Sequence, residues 1–395
     1  MQNMAEDLFP ETRPPRRSAA GLMAEVAVIG GGLVGAAIAY GLAGRGRDVL
    51  LLDGEDRDFR AARGNFGLIW VQSKGDGAPA YQHWTLDAAD AWPDFAETLK
   101  RHSGVDPGHR RPGGAHLCLS EAEYEQRGRM MARLQAQAPD RFHYQMLRHN
   151  ELAERLPGIG PDVIGGSYTP MDGDCDPLAL LTALHRALLT QGGRIRSSCR
   201  IRQIDPEAAG FRLRGEGLDI PAEKVVIAAG LGGPALARQL GIDVAVTPLR
   251  GQIMITEKLP PLLPMPTTSL RQTAQGGLQI GDSQEDAGFD AGTSLGMMQA
   301  MADRARRSFP ALAQARILRA WGALRVMTAD GLPVYAQSSA HPGAYYATCH
   351  SGVTLAPNHA GAIAAWIDGG GPAPDQAFAP DRAGLRPGGQ HVPFT

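Results

Sequence analysis

Lysine is scarce in this chain. Only Lys74, Lys100, Lys224 and Lys258 occur in 395 residues, and arginine supplies the rest of the 39 basic side chains. Few amines are therefore at hand for Schiff-base chemistry. Cysteine is as rare: Cys118, Cys175, Cys199 and Cys349, none within 20 residues of another. That excludes the paired spacings of zinc and iron–sulfur centres, so no metal site is expected. It also argues against a disulfide framework and fits a reducing, cytoplasmic compartment. Charge of one sign is missing, because 39 basic residues face 41 acidic ones for a net charge of −2. Nothing here attracts nucleic acid. No uncharged apolar run has a membrane-spanning pattern. Val26–Leu42 comes nearest, and three consecutive glycines interrupt it.

What remains is ordinary globular material, 43% hydrophobic and 20% charged. Its length predicts two domains, or one large body with a second lobe. Glycine is abundant at 50 residues without a collagen period, which predicts many tight turns and close backbone approaches. The first 23 residues carry Pro10, Pro14, Pro15, Arg13, Arg16 and Arg17 and lack the apolar stretch of a secretory signal. They are expected to form a flexible arm.

The first structured segment is the most informative. Glu25–Ile29 reads as a buried parallel strand, Leu33–Ala43 as an Ala-rich helix and Asp48–Asp53 as a second buried strand, which together make one βαβ unit. Between the first strand and the helix stands Gly30-Gly31-Gly32-Leu33-Val34-Gly35, the G-x-G-x-x-G dinucleotide fingerprint in its proper context. Gly30 makes the turn, Gly32 leaves room for a pyrophosphate, and Gly35 lets helix and strand pack closely. The helix N-terminus at Leu33 and Val34 presents N–H groups to phosphates. Asp53, at the end of the second strand, can accept from ribose hydroxyls and disfavours a 2′-phosphate. The fingerprint lies at the start of the chain, and a second strand ends in small residues, Ala228-Ala229-Gly230, about 200 residues later. Both features favour FAD over NAD.

Further elements are expected as follows: helices over Trp84–Lys100, Glu121–Gln137, Leu178–Thr190 and Leu295–Ser308; strands over 113–119, Ile195–Ile204, Phe211–Ile220, 224–230, Pro248–Glu257 and Leu278–Asp282; and a strand, turn and Ala-rich helix over Gly343–Trp366.

With these motifs in order, the chain resembles the D-amino-acid oxidase superfamily of FAD-dependent oxidoreductases, from about Ala24 to Ile367. Arg63-Gly64-Asn65-Phe66-Gly67, followed by Leu68, resembles the family loop beside the isoalloxazine, with Arg63 or Gly64 where a serine is usual. Asp172–Pro177 resembles the segment before the adenine-side helix, and Ile201 the strand beside the adenine. Val225–Gly230 and Pro248-Leu-Arg-Gly-Gln252 match two further family segments. Trp321-Gly-Ala-Leu-Arg325 through Asp330-Gly-Leu-Pro333 is the strongest late match. Cys349-His350-Ser-Gly352-Val353-Thr354-Leu355-Ala-Pro357 is similar to the flavin-cradling loop, though two residues short, so His350 or, without a gap, Thr348 takes the place of the family histidine. The nearest likeness is to opine-oxidase and hydroxyproline-dehydrogenase beta subunits.

The resemblance implies an α/β fold: a Rossmann-like FAD-binding domain with a discontinuous α+β substrate domain. The expected division gives residues 24–85, 150–240 and 321–368 to FAD, residues 86–149 and 241–320 to the substrate, and an extended tail to 369–395. It implies oxidation of the C–N bond of an amino acid or secondary amine by hydride transfer to flavin N5, with hydrolysis of the imine. Two other readings stay open: a 2-hydroxy-acid dehydrogenase, and a noncatalytic FAD subunit of a larger complex. FAD is expected to be noncovalent, because Ala323 stands where some relatives carry the linking cysteine. A partner subunit or external electron acceptor is expected, as is a small amino-acid or amine substrate.

Arg325 is the candidate carboxylate anchor, since a guanidinium can bind bidentately and keeps its charge; a structural ion pair is the alternative. His350 as a neutral imidazole could accept the amine proton, or be held by backbone. Lys74 could place positive charge near the flavin, or be a solvated loop lysine. Trp70, Trp84 and Tyr346 could wall a pocket or pack in the core. The N–H groups of Gly352, Val353, Thr354 and Leu355, ahead of the last helix, could stabilise negative charge on the reduced flavin.

Overall fold

The computed structural model describes residues 23–54, 61–281, 283–382 and 385. The expected N-terminal arm lies outside these except for Met23, as does Asp282 at the end of an expected strand.

Five strands build the central parallel sheet, in the order Ala344–Thr348, Leu218–Ile227, Ala24–Ile29, Val49–Leu52, Arg194–Arg196. Val334–Gln337 adds an antiparallel edge. Gly210–Gly215 and Ile201–Glu207 continue as an antiparallel meander from the long strand Leu218–Ile227. Ala24–Ile29, Val49–Leu52, Ala344–Thr348 and the end of Leu218–Ile227 are almost wholly buried and largely apolar because both faces are covered, whereas the edge strand Arg194–Arg196 is polar and mostly exposed. Val28 sits between Leu51 and Val226 in register, and all three are fully buried. The helix Leu33–Gly44 is buried on nearly every side. It packs against the helix Pro177–Thr190 and the helical segment 356–368, which explains its lack of a polar face.

A second, four-stranded antiparallel sheet runs Leu270–Gln272, Gly277–Ile280, Thr247–Lys258, Ile317–Met327. The small sheet Gly114–Cys118, Gly165–Thr169, Gln145–Arg148 meets it through a bridge between Ala115 and Thr267. Leu68–Ile69 pairs with Gly173–Asp174. This second body has its own core around Met254, Leu270, Leu278 and Phe309.

Several expectations are corrected. The single strand expected over Ile195–Ile204 is two, Arg194–Arg196 and Ile201–Glu207, separated by a turn in which Ser198 adopts φ 54°. The strand Ile317–Met327 was not anticipated, because glycine and arginine break its apolar alternation. The helix expected from Trp84 starts at Pro79, suited by its fixed φ to a first turn, and ends at Gly104 in the left-handed region. The division expected at Leu86 falls inside this helix, whose Trp92, Phe95 and Leu99 join the core beneath the central sheet. The division expected at Trp321 likewise falls inside the strand Ile317–Met327. The last helix is helical from Ala356 to Asp368, with a π-helical turn over His359–Ile363. Of the expected extended tail, residues 376–378 form a 3-10 turn. Phe378 buries its ring there against Trp84 and Tyr335.

All four cysteines are free and buried. Among the described residues no helix is long and apolar enough to cross a membrane. Nor is any group of three or more His, Cys, Asp or Glu side chains placed to hold a metal ion.

Candidate active site

Two adjoining cavities lie at the carboxyl ends of the central strands, where open α/β sheets hold their ligands. The larger has a volume of about 730 Å³, the smaller about 190 Å³. They share Ala61, Asn65, Val326, Cys349 and His350 as lining, so they meet there.

The larger cavity is built from the fingerprint. Gly30 has φ +113°, and a Cβ there would lie 2.4 Å from the Ala228 carbonyl oxygen. A Cβ at Gly35 would lie 2.0 Å from the Gly30 carbonyl oxygen, so strand and helix touch backbone to backbone. Gly32 differs: the nearest atom to an added Cβ is 3.7 Å away, and Gly32 lines the cavity. No side chain caps the helix that starts at Leu33. Leu33 and Val34 line the cavity beside it, so their unsatisfied N–H groups are open to an anionic ligand. His185 Nε2 lies 2.9 Å from the Gly31 carbonyl oxygen and steadies the loop. Ile201, Ala229, Gly230 and Gly352 complete this wall.

Asp53 lines neither cavity. Its carboxylate packs so close to the loop that a Cβ at Gly31 would sit 2.5 Å from Oδ2. Its backbone bonds Arg196 and Cys199. Gly35 is buried structure, Arg63 is absent from both linings, and Gly67 is a left-handed turn, φ +92°, facing the Cys175 carbonyl. Leu355 is fully buried, and its N–H donates to the Ser351 carbonyl at 2.9 Å. The expectation that it presents an N–H to the flavin is thereby corrected.

The smaller cavity takes Gly64, Asn65, Leu68, Val353 and Thr354 from the two predicted flavin loops and Arg325 from the strand Ile317–Met327. Thr354 ties the two loops together: its Oγ1 accepts from Trp70 N at 3.2 Å. Trp70 lines this cavity, whereas Trp84 and Tyr346 line neither and pack in the interior. Lys74 is no solvated loop lysine: it is 8% exposed and lines the smaller cavity. Its loop is fixed from behind by a buried network. Arg127 donates to the Gln72 carbonyl at 2.7 Å, to Gln72 Oε1 at 2.8 Å and to Ser73 Oγ at 2.9 Å. Asp172 accepts from Val71 N at 2.6 Å and Gln72 Nε2 at 2.5 Å, and burial pushes its carboxyl up to about 7.

His350 lies where the cavities meet. Desolvation, then the nearby charges of Lys74 and Arg325, hold its imidazole well below the usual histidine value, so it is neutral at physiological pH. A neutral imidazole offers a lone pair as a hydrogen-bond acceptor, and the same surroundings disfavour its taking up a full proton. Thr348, the other candidate, lines only the larger cavity. Arg325 donates through Nη1 to the Ser283 carbonyl at 2.7 Å.

Sequence reading missed Gln284 and Cys349 as cavity residues, and Gly251 as the surface under Arg325. Burial pushes the Cys349 thiol up to about 12, so it is neutral. A glycine inside a strand marks close approach of another group, and Gly251 in Pro248–Gln252 carried that signal.

The donor set fits an adenine dinucleotide: a cradle without side chains, uncapped helix N–H groups and a large cavity that meets a small one. The comparisons agree. The family described as FAD dependent oxidoreductase matches residues 25–366. One of the opine oxidase subunits of Rhizobium meliloti is 43% identical over 88% of this chain and 94% of its own length. Its counterpart from Agrobacterium tumefaciens is 41% identical over the same shares. The crystal structure of glycine oxidase from Geobacillus kaustophilus superposes with a TM-score of 0.85 at 26% identity, covering 91% of this chain and 99% of that one. The chain belongs to the FAD-dependent oxidoreductases of the D-amino-acid oxidase (DAO) family.

Proposed function

We propose that this enzyme oxidises the C–N bond of a carboxylate-bearing amino acid or secondary amine, of the opine class. FAD, when bound, supplies the two-electron acceptor. The observation that carries this reading is the smaller cavity, where the cations Arg325 and Lys74 and the neutral His350 surround a space that opens onto the dinucleotide cavity. A guanidinium there binds a carboxylate in a fork and so orients the α-carbon. Trp70, Val326 and Met327 keep the space apolar, which favours the neutral amine over the ammonium. His350, neutral at the junction, can accept a hydrogen bond from the substrate amine, while the flanking cations Arg325 and Lys74 favour loss of the ammonium proton to solvent. The likeness to the Rhizobium meliloti opine oxidase polypeptide, at 43% identity, supports both the opine class and work alongside a partner subunit that receives the electrons.

The test is anaerobic mixing of the FAD-loaded enzyme with opines, N-alkyl glycines, prolines and D- and L-amino acids. Bleaching of the flavin by an opine, with a stoichiometric keto acid and free amino acid, is expected. Bleaching by 2-hydroxy acids alone, or by nothing in the panel, overturns the reading.

A further inference from the structure

The segment 283–294 has almost no regular structure, yet it reaches both cavities. Gln284 lines the smaller, Phe289 and Ala291 the larger. Such a segment needs something outside itself to fix it.

The strand Thr247–Lys258 supplies the fixing groups. Arg250 and Glu285 exchange both backbone hydrogen bonds, at 2.9 and 3.0 Å. The Arg250 side chain, 9% exposed, donates to Glu285 Oε2 at 2.9 Å and to Asp290 Oδ2 at 2.6 Å. Gln252 N donates to Ser283 Oγ at 2.7 Å, and Gln252 Nε2 to Glu285 Oε1 at 2.6 Å and Ser294 Oγ at 2.9 Å. Ser294 N returns a bond to Gln252 Oε1 at 3.0 Å. Arg250 and Gln252 thus grip the segment at both ends and in the middle. The segment in turn grips Arg325, whose Nη1 donates to the Ser283 and Arg250 carbonyls at 2.7 and 3.4 Å.

An exposed ion pair in this arrangement would contribute little. Arg250 is shielded and binds two carboxylates at once, so its loss releases the middle of the segment and leaves two acids without their cation. The carbonyl that aims Arg325 and the cavity residue Gln284 sit beside the gripped Glu285. We propose that Arg250 is a positioning residue for substrate binding. Through Glu285 and Asp290 it holds segment 283–294 so that the Ser283 carbonyl aims the Arg325 guanidinium, and Gln284, at the smaller cavity. This rests on the reading of Arg325 as carboxylate anchor.

The test is titration of the FAD-loaded enzyme with benzoate, an unreactive carboxylate, followed by flavin absorption. Arg250→Met and Glu285→Gln each weaken benzoate at least about fivefold with FAD content unchanged, and Arg250→Lys restores part of the loss because one ammonium cannot span both carboxylates. In an Arg325→Met background the same two substitutions change affinity less than about twofold, since the group they position is gone. Two results overturn the proposal: full affinity in both single variants while Arg325→Met loses it, or undiminished effects in the Arg325→Met background. If Arg325→Met itself binds benzoate normally, the anchor reading fails, and the proposal with it. Should Arg250→Met not fold, the Glu285→Gln pair decides by the same criteria.

Discussion

The guanidinium of Arg325 lies against the backbone of Gly251, a diagonal neighbour on the adjacent strand, so that a Cβ at 251 would stand 2.5 Å from Nη1 and 2.6 Å from Cζ. Gly251 pairs with Ala323, two residues before the arginine, on adjacent antiparallel strands. The glycine is what allows the strand pair to carry a long cation folded back over it. Because the obstructing atoms are the far end of a flexible side chain, a methyl group at 251 should move the guanidinium and not the sheet. Gly251→Ala is therefore expected to keep its FAD and its melting temperature while losing affinity for carboxylates. Charge-assisted hydrogen bonds contribute about 1.5–3 kcal/mol, roughly tenfold to over a hundredfold in binding. Flavin reduction rate against substrate concentration measures this; an unchanged apparent affinity would place the anchor elsewhere.

The three fingerprint glycines should respond differently to the same substitution. Gly35→Ala puts a methyl group 2.0 Å from a backbone oxygen, and Gly30→Ala one at 2.4 Å on a left-handed residue. Neither backbone can yield cheaply, so each should destabilise the fold by about 1–3 kcal/mol or more. A methyl group at Gly32 meets nothing closer than 3.7 Å and points into the larger cavity. Gly32→Ala should shift the melting temperature of the FAD-free protein by no more than about 2 °C, yet weaken FAD roughly tenfold or more. Equilibrium dialysis against FAD and thermal melts of the three variants separate the two effects. Equal FAD affinity for Gly32→Ala and the parent would show that the ligand does not run over this loop.

FAD should leave the protein intact on denaturation. Ala323 lines the smaller cavity and offers no nucleophile. The thiol that does line it, Cys349, is held protonated by burial, and it is the thiolate that attacks. Acid precipitation should therefore put all the flavin in the supernatant. Yellow colour retained in the washed pellet would show a covalent bond.

The dinucleotide half of the site was legible because its logic is local. Strand, glycine turn, helix and second strand follow one another within one stretch of chain, and each glycine has a steric reason that a sequence can state. The substrate half was legible only as separate points. Arg325 and His350 could be named from their motifs, but the partners that give Arg325 its direction, Gly251 and Ser283, come from other parts of the chain. Gln284 stands in a segment without periodicity, so nothing in its neighbours announces a cavity. Lys74 looked like a solvated loop residue because the groups that bury its loop, Arg127 and Asp172, are about 50 and 100 residues away. Asp53 shows what spacing leaves open: it stands where the fingerprint places it, and its carboxylate packs against Gly31 and lines neither cavity.

Buried histidines should make this enzyme acid-sensitive. His359 is fully buried, with Nε2 3.0 Å from the Tyr335 hydroxyl, and burial holds its imidazole down at about 3. The unfolded chain takes up a proton on the same residue below about pH 6.5. Between those two values the unfolded state binds more protons than the folded one, so stability falls as pH drops. The contribution is whole above about pH 6.5 and shrinks by about 1.4 kcal/mol per pH unit below it, until His359 itself protonates in the fold. His350 and His116, both held well below the usual value chiefly by burial, add to the same slope. Glutamine at 359 can still accept from Tyr335 but does not titrate. His359→Gln should thus be less stable than the parent at pH 7.5, from imperfect packing, and should close that gap by about 1.4 kcal/mol for each unit between pH 6 and 4.5. Urea unfolding of both proteins at three pH values in that range measures the gap directly. A constant difference across the series would mean that His359 carries a proton in the folded protein, and that the cluster of His359, Tyr335 and Cys349 is charged, not neutral.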